Sequence, residues 1–69
     1  MKEFHFELSI DWEYETTKSI KVNKVFMGKK HNSTYHRAEK WADNCLAICG
    51  KDDQNRLWTH WELKFVKSI

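Results

Sequence analysis

Hydrophobic and polar residues alternate without interruption from residue 3 to residue 15. Side chains of a β-strand point in turn to the two faces of a sheet, so this pattern predicts a strand with one buried and one solvated face. The buried face is predicted to carry Phe4, Phe6, Leu8, Ile10, Trp12 and Tyr14. The solvated face is predicted to carry mainly acids, namely Glu3, Glu7, Asp11, Glu13 and Glu15.

A second strand is predicted to begin near Ser19, with Ile20 and Val22 facing the core. For these side chains to share a face with the apolar residues of the first strand, Tyr14 must lie opposite Ile20 and Trp12 opposite Val22. This parity requires a loop with an odd number of residues, three or five, between the two strands.

The alternation slips after Val22, because Val25 and Met27 occupy odd positions whereas Phe26 is even. A β-bulge near Asn23 and Lys24 would turn Val25 and Met27 inward and Phe26 outward. Without a bulge, Phe26 belongs to the core and the other two side chains are exposed. The sequence leaves both alternatives open.

Helical spacing follows from Thr34 to Cys49, with apolar residues three or four positions apart. The predicted buried stripe comprises Tyr35, Ala38, Ala42, Cys45 and Cys49, flanked by Trp41, Leu46 and Ile48. A side-chain oxygen of Asn32 or Ser33 is expected to cap the helix N-terminus. Gly50 is expected to end the helix in the left-handed conformation.

A final strand is predicted over residues 56–67. Its inner face carries Leu57, Trp61, Leu63 and Phe65, and its outer face carries Trp58, His60, Glu62, Lys64 and Val66. The helix returns the chain along the sheet, so the last strand should pair antiparallel with the first. The predicted fold class is α+β, with element order ββαβ in a single domain over residues 1–69. One helix packs on one face of a three-stranded antiparallel sheet in the order 2-1-3.

A chain of 69 residues lies near the lower size limit for independent folding and buries only about 60% of its unfolded surface. Ten aromatic residues, four of them Trp, supply apolar area, since each buried aromatic removes roughly 150–250 Å² from water. The residues predicted to be mostly buried are Phe6, Leu8, Ile10, Trp41, Cys45, Trp61 and Leu63.

The net charge of +2 is unevenly distributed along the chain. Residues 1–15 hold five acids and one lysine, a net charge of −4, whereas residues 16–40 hold seven cations and one acid, a net charge of +6. The basic segment supplies candidate phosphate-binding residues in Lys24, Lys29, Lys30, Arg37 and Lys40. One functional hypothesis is therefore a small nucleic-acid-binding regulatory protein that uses the basic loop 24–40.

Only one helix is predicted, so one face of the sheet stays uncovered, and this face is the expected working surface. The residues predicted to bind a protein partner there are Glu7, Asp11, Glu13, Trp58 and Val66. A Trp surrounded by charged residues is typical of an anchor in a protein–protein interface. Protein binding is the preferred hypothesis, because it accounts for the acidic stripe and the Trp together.

Candidate catalytic chemistry is sparse. Cys45 and Cys49 lie on one helical face, but His36 is about half a turn away, so no metal site is predicted. Paired carboxylates on a flat sheet face lack enclosed surroundings, so we expect no enzyme and no cofactor.

No apolar run approaches the roughly 20 residues of a membrane span. Free cysteines suit a reducing compartment, so we expect a cytoplasmic protein without membrane contact.

The small size, the ββαβ order, the aromatic content and the absence of proline resemble the small early proteins of bacteriophages. That class includes a ββαβ inhibitor of bacterial RNA polymerase and a short antitoxin that blocks a host RNase toxin. The resemblance lies in the order of elements and includes no shared motif, so it implies no functional residue. It implies a stoichiometric inhibitor or modulator of an intracellular host or defence protein, acting in the host cytoplasm. The unpaired strand edges also lead us to expect a homodimer.

Overall fold

The computed structural model describes residues 1–69. Its elements are β1 (Lys2–Glu13), β2 (Thr17–Gly28), α1 (His31–Cys49) and β3 (His60–Ser68). The strands form one antiparallel sheet in the order β2-β1-β3, so β1 pairs with both neighbours. The predicted α+β fold, the order of elements and the order of strands are confirmed.

Apolar residues at the even positions of β1 form the inner row of the sheet. The members of this inner row are Phe4, Phe6, Leu8, Ile10 and Trp12, each at most 4% exposed. Since β1 is the central strand, β2 and β3 flank the row on both sides while α1 covers it. The predicted burial of Phe6, Leu8 and Ile10 is confirmed.

α1 lies against the inner row through residues spaced one turn apart, namely Thr34, Ala38, Ala42 and Leu46. Ala38 and Ala42 are fully buried, and their small side chains let the helix backbone come close to the sheet. Leu46 is buried where Cys49 was expected, and Cys49 is exposed. Four residues predicted to be mostly buried are only half-buried at the sides of the core: Trp41, Cys45, Trp61 and Leu63.

The turn between β1 and β2 has three residues, 14–16, which is one of the two predicted lengths. The predicted register is nevertheless wrong, because Tyr14 does not lie opposite Ile20. The observed opposite pairs are Ile10 with Ile20, Leu8 with Val22, and Trp12 with Lys18. The pairing is shifted by four residues, an even number, so each side chain keeps its predicted face.

Tyr14 lies in the turn rather than in the inner row, because it has polar partners there. Its hydroxyl donates a hydrogen bond to the Leu57 carbonyl, 2.6 Å away. The Arg56 guanidinium carbon lies 4.5 Å from the centroid of the Tyr14 ring. An amphipathic phenol is therefore satisfied at the surface, and it ends the apolar row at Trp12.

The irregularity of the sheet lies in β3, not in β2. β2 pairs with β1 over all 12 of its residues without a break, so the alternative without a bulge is the correct one. Phe26 points inward and is half-buried, whereas Val25 and Met27 are each 46% exposed. The register between β1 and β3 shifts by one residue next to Phe6, which leaves Val66 without an opposite residue.

The N-terminus of α1 differs from the predicted one. Lys30 is the N-cap residue, and no side chain accepts a capping hydrogen bond there, so the expected cap by Asn32 or Ser33 is wrong. Instead, the hydroxyls of Ser33 and Thr34 donate to the Lys30 carbonyl at 3.3 and 2.7 Å. These bonds hold the first turn of α1 to the Lys30 carbonyl, and no side chain caps the N–H groups of that turn.

The residue at the C-terminal end of α1 must be Gly50 for a steric reason. Its φ of −77° and ψ of −2° are right-handed, so the expected left-handed conformation is wrong. A Cβ atom at this position would collide with the Leu46 carbonyl and press on the Trp58 ring. Glycine is therefore required by the close approach of two neighbours and not by the backbone angle.

Trp12, near the end of β1, forms hydrogen bonds with the segment between α1 and β3. Its indole Nε1 donates to the carbonyls of Gly50 and Arg56, each 3.1 Å away. Within the segment, the Asp52 carboxylate accepts hydrogen bonds from the backbone N–H and the Nε of Arg56 at 2.7 and 3.0 Å. The segment folds separately from the sheet, so β3 begins at His60 and not at residue 56 as predicted.

The inner row leads to a first prediction. Leu8→Ala should lower the free energy of unfolding by about 2–5 kcal/mol, because Leu8 is fully buried and its truncation leaves a cavity. Urea unfolding measures this change. Val66→Ala is the control, since Val66 is 48% exposed, and its effect should stay within about 1 kcal/mol. A Leu8→Ala variant as stable as the parent would contradict the assignment of the inner row.

Asp52 gives the fold a dependence on pH. Burial leaves its side chain 2% exposed and by itself opposes ionisation. Hydrogen bonds from Arg56, the charge of its guanidinium and the Gln54 N–H outweigh burial, and they hold the pKa of Asp52 below its ordinary value of 3.8. A carboxyl with a lowered pKa stabilises the fold fully above its ordinary pKa. That contribution is lost as the pH falls through the folded-state pKa.

A second prediction follows for Asp52→Asn, which removes the charge and keeps a hydrogen-bond acceptor. The variant should be less stable than the parent near about pH 6, and the difference should shrink below about pH 4. Urea unfolding at several pH values measures it. Asp53→Asn is the control, since the Asp53 side chain is 83% exposed. If the difference for Asp52→Asn does not change with pH, the carboxylate charge does not stabilise the loop.

Candidate functional site

No element covers the face of the sheet opposite α1, which we call the open face. Odd-numbered residues of β1 and β2 point to it, because their even-numbered neighbours point to α1. The register aligns three residues in each row across the sheet: Asn23, Glu7 and Lys64; Lys21, Ser9 and Glu62; Ser19, Asp11 and His60. The alternation thus correctly predicted that Glu7, Asp11 and Glu13 lie on this face.

Charged residues at the centre of the open face are partly paired across the strands. Glu7 Oε1 lies 3.9 Å from Lys21 Nζ, and Asp11 Oδ1 accepts a hydrogen bond of 2.6 Å from the Ser19 hydroxyl. An exposed pair of this kind contributes only about 0–1 kcal/mol, so it holds side chains in place more than it stabilises the fold. Glu13 has no cation within salt-bridge distance, and its carboxylate is free to meet one from outside.

The predicted anchor Trp58 is not on the open face, and this expectation is wrong. Trp58 is half-buried against the cluster that contains Trp12 and Leu46, on the side of α1. Its backbone N–H donates to the Gly50 carbonyl at 2.8 Å. Trp58 precedes β3, so the alternation of that strand does not set its direction. Its side chain contributes to the core.

Val66, the other predicted contact from the last strand, is the bulged residue of β3. It is 48% exposed, as expected of a contact residue. It has no opposite residue in β1, so it does not belong to the regular rows of the open face.

One end of the open face exposes three apolar side chains whose role sequence reasoning missed, with Glu3 and His5 of β1 lying between Ile69 and the other two. Val25 and Met27 are neighbours on β2, and Ile69 lies on the other side of β1, where its N–H and carbonyl pair with Glu3. Val25 and Met27 are each 46% exposed and Ile69 is 66% exposed. We call these three residues the apolar end. The alternative without a bulge in β2, which exposes Val25 and Met27, was the signal for two of them.

The five cations predicted to bind phosphate form the basic set: Lys24, Lys29, Lys30, Arg37 and Lys40. All five are exposed, and none lies within salt-bridge distance of a carboxylate. The fold brings Lys24 of β2 and Arg37 of α1 together, with Nζ and Cζ at 5.6 and 5.5 Å from the centroid of the Phe26 ring. Arg37 also donates a hydrogen bond of 2.6 Å to the Met27 carbonyl.

The remaining candidate chemistry of the sequence was the cysteine pair. Burial and the neighbouring Cys49 raise the pKa of the Cys45 thiol, and Lys24 offsets part of this effect. A raised pKa keeps the thiol protonated and weakly nucleophilic at neutral pH. No group of three or more His, Cys, Asp or Glu residues is arranged to hold a metal ion, and the surface has no pocket. No helix of the protein combines the length and the apolar character that crossing a membrane requires.

No protein-family model matches the chain, and no curated protein and no solved structure is significantly similar to it.

Proposed function

We propose that this chain is a non-enzymatic protein-binding module that acts as a stoichiometric inhibitor or modulator of an intracellular host or defence protein. The open face is the proposed contact surface. The observation that carries the proposal is the apolar end, because Val25, Met27 and Ile69 expose apolar side chains on a face that no element covers.

The open face has the mixed character of a protein–protein interface. Its apolar end adjoins a charged centre, and interfaces commonly combine apolar contacts with polar and charged ones. The molecule measures 44 × 18 × 15 Å, so one long face approaches the ~800 Å² that each partner buries in a standard interface. The partner's surface should then present an apolar contact, with cations placed to meet free carboxylates such as Glu13.

A third prediction tests the apolar end. Val25→Thr combined with Met27→Gln preserves side-chain size and removes apolar surface. Partner binding should weaken at least tenfold, about 1.4 kcal/mol, because a few well-packed contacts that lose their water contribute most of the affinity of an interface. The partner is first captured from a bacterial lysate with the parent chain, and its affinity for each variant is then measured by calorimetry.

Ile48→Gln is the matched control, because Ile48 is 82% exposed on α1 and lies on the opposite side of the sheet. Equal losses in the control and the double variant would mean that the open face is not the specific surface. Unchanged binding in the double variant would contradict the proposal. Sedimentation of the chain alone tests the further proposal that two copies form a homodimer.

Nucleic-acid binding is the second candidate, and the unpaired basic set is the observation that favours it. Within the basic segment 16–40, Lys18 and Lys21 lie within 4 Å of carboxylates, whereas no member of the basic set does. Cations without internal partners are available to phosphates, and Phe26 lies beside two of them. The acidic centre of the open face would repel the same ligand, which confines this candidate to the side of β2 and α1.

A fourth prediction tests this candidate with a single-stranded oligonucleotide of thymidines. Replacing Lys29, Lys30 and Lys40 by Gln should weaken binding and reduce the salt slope by about 2, since each lost phosphate contact removes roughly 0.7. The control replaces three other exposed lysines, Lys51, Lys64 and Lys67, by Gln. Equal losses in both triple variants would indicate attraction by net charge alone.

A further inference from the structure

The hydrogen bonds at the ends of the sheet reveal which backbone groups of β1 face which neighbour. Glu3 exchanges its N–H and carbonyl with Ile69, and the Asp11 carbonyl accepts from the Thr59 N–H at 2.9 Å. Odd-numbered residues of β1 therefore direct their backbone groups towards β3. Even-numbered residues direct theirs towards β2, because backbone groups alternate sides along a strand.

The same alternation fixes the outer edge of β2. Even residues of β1 lie opposite even residues of β2, so these pairs exchange the hydrogen bonds. The odd residues of β2 point their N–H and carbonyl groups outward, and Ser19, Lys21, Asn23 and Val25 have no partner for them within the protein. Only the Met27 carbonyl is occupied, by Arg37.

The two edges of the sheet differ in their fitness to accept another strand. β2 is 12 residues long, with an unbroken register to β1. β3 is 9 residues long and is interrupted by the bulge at Val66. A bulge breaks the row of backbone groups and bends the strand away, which protects an edge from pairing. The long, regular row on β2 has no such protection.

The charge at this edge selects the chemistry of an added strand. Residues 16–38 contain no Asp or Glu, and β2 carries Lys18, Lys21 and Lys24 on its two faces. A second copy pairing through β2 would bring six lysines into one two-stranded ribbon, and edge lysines are a common device against such self-pairing. The same three cations attract an acidic strand.

We propose that the outer edge of β2 accepts an extended acidic segment of another protein as a fourth strand of the sheet. Main-chain hydrogen bonds to Lys21, Asn23 and Val25 supply the pairing, and the lysines of β2 select for acidic side chains. The edge offers backbone groups of β2, whereas the open face offers side chains, so the two contacts use different groups. The inference therefore adds a second contact to the proposed protein-binding function and does not depend on the apolar end.

The probe is a blocked nine-residue peptide of alternating Glu and Val, added in excess to the full chain. Amide hydrogen exchange, followed by NMR, should slow at least tenfold at Lys21, Asn23 and Val25 and stay unchanged at residues of β3. A peptide of the same sequence with alternate amides methylated should give no protection, because it cannot complete the ladder. A peptide of alternating Lys and Val should bind at least tenfold more weakly.

Asn23→Pro provides the matched variant. Asn23 directs its N–H outward, so proline removes no hydrogen bond to β1 but blocks an incoming strand. We expect it to abolish protection by the peptide, whereas Asn23→Thr, which keeps the N–H, should retain it. Retained exchange protection at Val22 verifies that the proline variant is folded.

Three results would overturn the inference: no protection of β2 by the acidic peptide, equal protection by the methylated peptide, or protection confined to β3. Should the proline variant fail to fold, the methylated peptide alone decides. If the acidic peptide does not protect β2 but Val25→Thr/Met27→Gln weakens partner binding, the edge inference fails and the open-face proposal is retained.

Discussion

The other three elements all pack against the inner row of β1. β2 and β3 pair with the strand on either side, and α1 lies across its buried side chains. A domain of 69 residues has little apolar area to distribute, and five large side chains at most 4% exposed concentrate it on one strand. Ala38 and Ala42 make this possible from the opposite side, because only small residues let a helix approach so closely.

Concentrating the core on one face determines how charge is distributed. A single helix covers a single face, so the alternate residues of β1 must tolerate water, and most of them are acids. Seven of the twelve Lys and Arg residues then lie on β2, at the turn that follows it and along α1. The open face and the cationic edge are therefore two consequences of one packing arrangement. They meet along β2, because its odd-numbered side chains lie on the open face and the backbone groups of the same residues form the edge.

The elements and the order of strands could be predicted because they depend on local periodicity. Alternation in β1 assigns faces residue by residue, and it placed Glu7, Asp11 and Glu13 correctly. The errors concern contacts between residues far apart in the chain. Trp58 belongs to the core because the segment before β3 folds back under the indole of Trp12, which reaches a carbonyl 44 residues away. The residue pattern of β3 contains no sign of this contact. The wrong register predicted for the β1–β2 hairpin has the same cause, because the residues that hold Tyr14 outside the inner row also lie in the segment before β3.

The bulge at Val66 changes the phase of everything that follows it. Before the bulge, odd-numbered residues of β3 face α1, as Phe65 does opposite Phe6. After it, Lys67 lies opposite His5 and Ile69 pairs with Glu3, so both belong to the open face. Deleting Val66 would remove the bulge and keep this assignment, whereas regular pairing of Val66 with His5 would send Ile69 towards the helix side and Ser68 outward. The face on which Ile69 lies is thus decided by one extra residue in β3 as much as by the chemistry of the side chains.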